Sequence, residues 1–384
     1  MIKNKSILVF AILAVLLSVA FGFGVYGYFN NDKGEEVIKE NIEVEIINGE
    51  SNPVEESIEE EIEEEVIESD AEQIEITQQD EAEPTEITEE TEKIVETIPV
   101  IPVILPSPTI KRNNPDELRI GFITDLHVMS YFDGAGNRVL KPEFVSKINY
   151  FIERMNNKFV PNFIISNGDT IEGTKVSSNN GMADLSLVKR LFDKTTLKKY
   201  WVVGNHDLRS VNKEQFMQSL EIDYISKAFV VGKYKIIILD SNFTSEDKDA
   251  VPGRGYIRGH ISEKQIKFLE KELKNTDKRT IVFLHHPPLW SVGGKSNFEF
   301  PDNAKRLQEI FSQNKTFAVF AGHIEDLFLQ EIDGVKYFVS PGIVKNEKYQ
   351  GAFSEITIKK GKMIIEMNYL KNDGNYRTVR INED

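Results

Sequence analysis

Five short segments of this 384-residue chain collect side chains that bind metals or move protons. They are Asp125-Leu126-His127, Asn167-Gly168-Asp169, Gly204-Asn205-His206-Asp207, His285-His286-Pro287 and Gly322-His323-Ile324-Glu325. The chain has six histidines, and five of them lie here. It has no cysteine, which excludes a disulfide framework, a thiolate zinc cluster, a thiol nucleophile and an iron–sulfur site. Any metal must therefore be held by His, Asp, Glu or Asn. Singly, the segments are ordinary. Asp-x-His is a frequent tripeptide, Gly and Asn supply positive φ in turns, and a histidine ahead of proline can simply close a strand. Together, each at the end of an apolar run, they point to a common site.

The apolar runs are residues 118–124, 163–166, 200–203, 280–284 and 316–321, each with the length of a buried strand. Pro142 opens a helix on which Phe144, Val145, Ile148, Phe151, Ile152 and Met155 recur at three and four residues. Leu185, Val188, Leu191 and Phe192 mark a second helix. Strand, helix and strand in that order predict a parallel, right-handed unit. Gly232-Lys233 between two apolar runs predicts a hairpin, and Ser262 with Gln265 predicts a capping box for a helix carrying Ile266, Leu269 and Leu273. Residues 335–339 form another strand, and a terminal hairpin turns near residues 359–362. This is an α/β pattern with antiparallel additions. In open α/β sheets the carboxyl ends of strands line the ligand crevice, so the five segments can converge.

The ordered set D-L-H, G-D, G-N-H-D, H-H-P, G-H-x resembles the calcineurin-like metallophosphoesterase superfamily over residues 118–342. The resemblance implies a four-layer α/β/β/α sandwich of two mixed sheets with a two-metal site at the strand ends. It implies that Asp125, His127 and Asp169 hold a first metal, and that Asp169 bridges to a second held by Asn205, His285 and His323. His206 would be the catalytic histidine, oriented by a carboxylate such as Asp207, and His286 the lesser ligand candidate of its pair. The family's usual G-H-x-H reads Gly322-His323-Ile324-Glu325 here, so Glu325 either takes the missing histidine's place on the first metal or leaves that metal weak.

The chemistry is consistent with those assignments. A carboxylate bridging two cations among imidazoles and hard oxygens suits Mn, Fe or Zn, and an anionic Glu325 favours Mn or Fe over Zn. Such a pair acidifies a bridging water, polarises a phosphoryl oxygen and clamps an in-line displacement, while a nearby imidazole protonates the departing alkoxide. The expected reaction is hydrolysis of phosphate mono- or diesters, with a nucleotide or lipid headgroup as candidate substrates. The alternative is a catalytically impaired binding module on the same scaffold. Glu172 sits where it could supply an outer hydrogen bond or a loop cap. Residues 253–260 carry Arg254, Tyr256 and Arg258, which could contact a nucleotide but read first as a surface loop with His260 near a helix cap.

Net charge divides the chain. Residues 31–100 hold 27 acidic and three basic residues, a local charge of −24 within a total of −16, so residues 101–384 carry about +6. Ahead of them, Lys3 and Lys5 precede 23 uncharged, mostly apolar residues, 7–29, long enough to cross a bilayer. The expected domains are an anchor or cleavable signal peptide (1–30), an acidic then proline-rich disordered linker (31–115) and the metallophosphoesterase domain (116–384). The lysines favour an inside amino end, putting the domain outside the cell membrane, or secreted if the signal is removed. A third reading places the interactions of the protein in the acidic segment. No stable nucleic-acid partner is expected, and the oligomeric state is left open.

Overall fold

The computed structural model describes residues 43–47, 114, 116–253, 258–289, 291–292, 295–296, 303–343 and 348–383, all within the unit Glu43–Asp384. The apolar run at 7–29 and the rest of the expected linker up to residue 113 lie outside the described residues. Among the described residues, no helix is long and apolar enough to cross a membrane.

The chain forms β1 (Glu43–Ile47) and β2 (Glu117–Ile123), then a short hairpin of β3 (Ser130–Phe132) and β4 (Arg138–Leu140). Helix α1 (Pro142–Arg154) starts on its proline and leads to β5 (Phe163–Asn167), followed by α2 (Ser178–Phe192), β6 (Lys199–Val202) and α3 (Lys213–Leu220). The predicted hairpin is β7 (Lys227–Val231) and β8 (Tyr234–Ile238), and α4 (Glu263–Lys274) is followed by β9 (Arg279–Phe283). A two-stranded turn, β10 (Ser291–Val292) and β11 (Lys295–Ser296), precedes α5 (Ala304–Gln313) and β12 (Ala318–Ala321). Two antiparallel sets follow: the hairpin β13 (Phe328–Ile332) and β14 (Val335–Val339), in one sheet, and the meander β15 (Phe353–Lys359), β16 (Lys362–Leu370) and β17 (Tyr376–Glu383), in the other.

Two mixed sheets result, in the orders β1-β17-β16-β15-β2-β5-β6 and β13-β14-β12-β9-β8-β7. The ligand-bearing strands pair in parallel: β2 with β5, β5 with β6, and β9 with β12. Period-two alternation sets the layers. Leu118, Ile120, Phe122, Phe163, Ile165 and Val202 meet Ile236, Ile238, Ile281, Phe283, Phe320 and Phe338 between the sheets. The alternate residues Ile164 and Trp201 face α1 and α2 through Phe144, Ile148, Phe151, Leu185 and Val188. On the other side, Ile237, Val282 and Val319 face α4 and α5 through Ile266, Leu269, Leu307 and Phe311. The α/β/β/α layering is therefore a direct consequence of strand alternation.

Three local differences from the sequence reading have physical causes. Gln265 supplies only half of the predicted capping box: its backbone N donates to Ser262 Oγ, while its side-chain Oε1 accepts from Ser226 Oγ. The complete box is at α3, between Asn212 and Gln215. Residues after α1 continue as a π-helical turn, Met155–Phe159, whose Met155 packs over Gly121.

Candidate metal centre

The parallel ladders carry the ligand loops into place. Asp125 N donates to the Gly168 carbonyl (3.0 Å) and His127 N to that of Asp169 (2.9 Å), extending the β2–β5 pairing beyond both strands. Gly322 N donates to the His285 carbonyl (3.0 Å), which does the same for β9 and β12. The two sheets are then tied across the site. His323 N donates to both Asp125 carboxylate oxygens (3.0 and 3.1 Å), and Asn167 Nδ2 to the Leu284 carbonyl (2.9 Å).

Backbone strain collects at the same place. Asp125, His127, Asp169, His323 and Glu325 all have positive φ, between 43° and 70°. L-residues with side chains occupy that region rarely, and clusters of them mark sites where placing a side chain outweighs local cost. Two glycines are required for different reasons. Gly168 has φ +99°, and a Cβ there would come within 2.4 Å of His285 Nδ1. At Gly204 a Cβ would lie 2.1 Å from Asp169 N, so close approach, and not positive φ, is what demands glycine there.

Three groups of side chains have ligand atoms within 4.8 Å of one another: Asp125, His127 and Glu325; Asp169, His285 and His323; and His127, Asp169 and His206. His127 Nε2 lies 3.2 Å from Glu325 Oε1, 3.7 Å from Asp169 Oδ2 and 3.9 Å from Asp125 Oδ1. His285 Nε2 lies 3.2 Å from Asp169 Oδ2 and 3.1 Å from Asn205 Oδ1, and His323 Nδ1 lies 3.0 Å from that same Asn205 oxygen. All seven sequence-derived ligand candidates thus meet in one place. His286 turns aside, its Nδ1 2.8 Å from Ser241 Oγ.

Outer hydrogen bonds aim the imidazoles. A carboxylate can only accept, so the 2.9 Å contact from His127 Nδ1 to Glu172 Oε2 places the proton on Nδ1 and leaves Nε2 toward the cluster. His285 Nδ1 does the same with the Asn167 carbonyl at 3.0 Å. Thr124 Oγ1 donates to Asp125 Oδ2 (2.6 Å). Histidines oriented in this way by a carboxylate or carbonyl are the usual arrangement around a bound metal.

The carboxylate beside His206 is Glu172 rather than the expected Asp207. His206 Nδ1 lies 3.2 Å from Glu172 Oε1 and 3.0 Å from the Glu172 carbonyl. Asp207 is fully buried and accepts from the backbone N–H groups of Gly204 (2.9 Å) and Ile171 (3.0 Å), so it shapes the turn instead of touching the imidazole. Thr124 and Arg209 escaped the sequence reading, and Asn167 was read only as part of a turn. Their signals are weak: Thr124 and Arg209 are neighbours of ligand-bearing segments, with no spacing of their own.

The electrostatics call for cations. Burial opposes charge on His127, yet hydrogen bonds to Glu172 and Glu325 and the charges of Asp169 and Asp125 push it up to about 10. His285 rises to about 9 against the same burial, through Asp169 and Asp125. Burial pushes Asp125 up to about 6 and Asp207 up to about 7. Despite burial, His285 and the other imidazoles hold Asp169 well below the usual carboxylate range. Burial and His285 together push His323 down to about 3. The carboxylates thus favour positive charge at the centre of the cluster, which a divalent ion would supply on binding. Hard carboxylate oxygens with borderline imidazoles suit such ions.

Of the loop at residues 253–260, positions 254–257 lie outside the described residues. His260 Nε2 is 2.9 Å from Asp247 Oδ1, and Asp247 Oδ2 accepts from Glu263 N at the start of α4, which is the cap environment expected of it.

Residues 118–325 match the family described as calcineurin-like phosphoesterase. A "Probable glycerophosphodiester phosphodiesterase GpdQ" of Arcobacter nitrofigilis is 28% identical over 214 residues, 53% of this chain and 70% of that protein. A "Probable cyclic nucleotide phosphodiesterase" of Rhodococcus erythropolis is 29% identical over 126 residues, 32% of this chain and only 38% of the relative's length. The crystal structure of a dimetal phosphatase from Danio rerio superposes with a TM-score of 0.55 at 13% identity, covering 70% of this chain and 99% of that one. At that identity the likeness shows the fold alone.

Proposed function

This chain belongs to the calcineurin-like phosphoesterase family, and from that premise we propose that it hydrolyses phosphate esters, diesters foremost, with two divalent cations. The observation that carries the reading is the sharing of Asp169 and His127 among three overlapping ligand groups. Asp125, His127, Asp169 and Glu325 would hold one cation, and Asp169, Asn205, His285 and His323 the other. When bound, the pair supplies the Lewis acidity that polarises a phosphoryl oxygen and acidifies an attacking water.

The chain's own groups account for the remainder. Asp169 is fixed as the shared ligand because its Oδ1 accepts from His206 N (2.7 Å) while Oδ2 faces His285 and His127. His206, with Nδ1 held at Glu172, presents Nε2 as proton donor to the departing oxygen. The strand ends exclude water from Asp125, Asp169 and His285, all of them buried. A body of about +6 attracts an anionic ester. The relatives' names support a diester substrate, and hard anionic ligands support Mn or Fe. The apolar run at 7–29 and the acidic residues behind it support a catalytic body held outside the cell membrane.

The alternative of an impaired binding module is disfavoured by Glu325, which stands 3.2 Å from His127 Nε2 instead of turning outward. The test uses full-length protein with bis(p-nitrophenyl) phosphate and p-nitrophenyl phosphate in the presence of Mn. Turnover of both is expected to vanish on chelation, and His206→Ala is expected to lose about 10²- to 10⁴-fold on a dialkyl phosphate, whose departing alkoxide needs a proton, and far less on the p-nitrophenyl esters. No metal-dependent release from either ester would overturn the proposal.

A further inference from the structure

Arg209 ends the single 3-10 turn, Asp207–Arg209, that follows His206. Its Nη1 donates to Thr174 Oγ1 (2.6 Å) and lies 3.0 Å from His206 Nδ1 and 3.7 Å from Glu172 Oε1. Thr174 Oγ1 in turn donates to Glu172 Oε1 (2.9 Å). These contacts close a ring of four side chains drawn from two turns, residues 172–174 and 206–209. Glu172 has the central place, since one of its oxygens faces His206 and the other faces His127. Glu172 is partly buried, 23% accessible, and its backbone N is tied to the Val128 carbonyl (3.1 Å), which places the main chain but leaves the carboxylate's two contacts to be kept in register by side chains. A guanidinium is always charged and donates in a fixed fork, so it suits the task of holding a carboxylate and a hydroxyl together.

We infer that Arg209 is a positioning residue for the reaction: anchored on Thr174, it clamps the Glu172 turn to the His206 turn and thereby aims the His206 imidazole at the departing oxygen. The inference rests on the hydrolytic reading above. In the step concerned, the P–O bond to the leaving group breaks as the new bond to the oxygen of water forms. The Nε2 proton of His206 passes to the departing oxygen, while Nδ1 keeps its own proton, directed at the Glu172 oxygens. An alkoxide needs that proton, whereas p-nitrophenolate leaves as a stable anion. Misaiming His206 must therefore slow the two classes of ester unequally.

The experiment compares full-length wild type, Arg209→Met and Thr174→Val with Mn, on methyl p-nitrophenyl phosphate for the good leaving group and on a dialkyl phosphate for the poor one. Metal content is measured on each protein. Arg209→Met is expected to lower kcat on the dialkyl ester about tenfold or more, part of the 10²- to 10⁴-fold worth of a placed general acid, while changing p-nitrophenolate release less than about threefold. KM and two metals per chain should be retained. Thr174→Val should move the same ratio in the same direction by a few fold, and its exposed position keeps it folded if Arg209→Met is not. Equal losses on both esters, a rise in KM on both, or no change would overturn the inference. The absence of metal-dependent turnover in wild type would instead overturn the hydrolytic reading on which it rests.

Discussion

The two halves of the metal centre are built from different materials. Around His127 stand Asp125, Glu325 and Glu172, with His206 edge-on at 4.4 Å, and against burial the carboxylates push the His127 imidazole up to about 10. Around Asp169, by contrast, stand His285, His323 and the neutral amide of Asn205; Asp169 and Asp125 push His285 up to about 9 against burial, while burial and His285 push His323 down to about 3. One half is anion-rich and hard; the other is imidazole-rich and closer to neutral. On the proposed reading, the difference teaches that a single substitution, glutamate where the family usually has histidine, would alter the character of one cation position while leaving its neighbour alone.

The comparison can be broken most severely at the residue the halves share. Asp169→Asn removes the anionic bridge from both, and metal content measured by elemental analysis should fall from two per chain to below one. Turnover should drop at least about 100-fold, the upper range for losing even an outer partner of a metal ligand. A variant that kept both metals would show that the halves do not depend on Asp169. Glu325→His sharpens the contrast by making the first half resemble the second. It should shift the first site's preference from Mn toward Zn by roughly tenfold in competition titrations and raise turnover with Zn. Unchanged occupancy and rate would mean that Glu325 does not ligate. The smallest effect is expected from Gly168→Ala, which strains positive φ and crowds His285 without removing a ligand. Thermal unfolding should register a loss of about 1–3 kcal/mol. Affinity should weaken at the imidazole-rich position and hold at the other.

The same contrast separates what the sequence made legible from what it did not. Asp125, Asp169, His285 and His323 could be read because each follows an apolar run, and a strand must deliver its last residues to the sheet's carboxyl edge. The layers could be read for a related reason: alternation in residues such as Ile236, Ile237 and Ile238 fixes which face meets which neighbour. The choice of Glu172 over Asp207 was not legible. Asp207 is adjacent to His206 in sequence, but the turn folds its carboxylate back onto Gly204 N and Ile171 N, and only the three-dimensional turn brings Glu172 forward. Arg209 was hidden for the same reason. The placement of β15 beside β2 was equally invisible, because local periodicity says nothing about partners more than two hundred residues away.

That last pairing has a consequence for the order in which the molecule can be assembled. Strand β2, which delivers Asp125 and His127, meets β5 soon after synthesis, but its other edge waits for β15, where Ile120 sits opposite Ile356. Ile343 N, which donates to the Asp125 carbonyl (3.1 Å), is also a late arrival. A ribosome therefore releases more than two hundred further residues after β2 before the segment that opens the metal centre is enclosed on both sides. A long loop closure and the completion of the first ligand loop are one event.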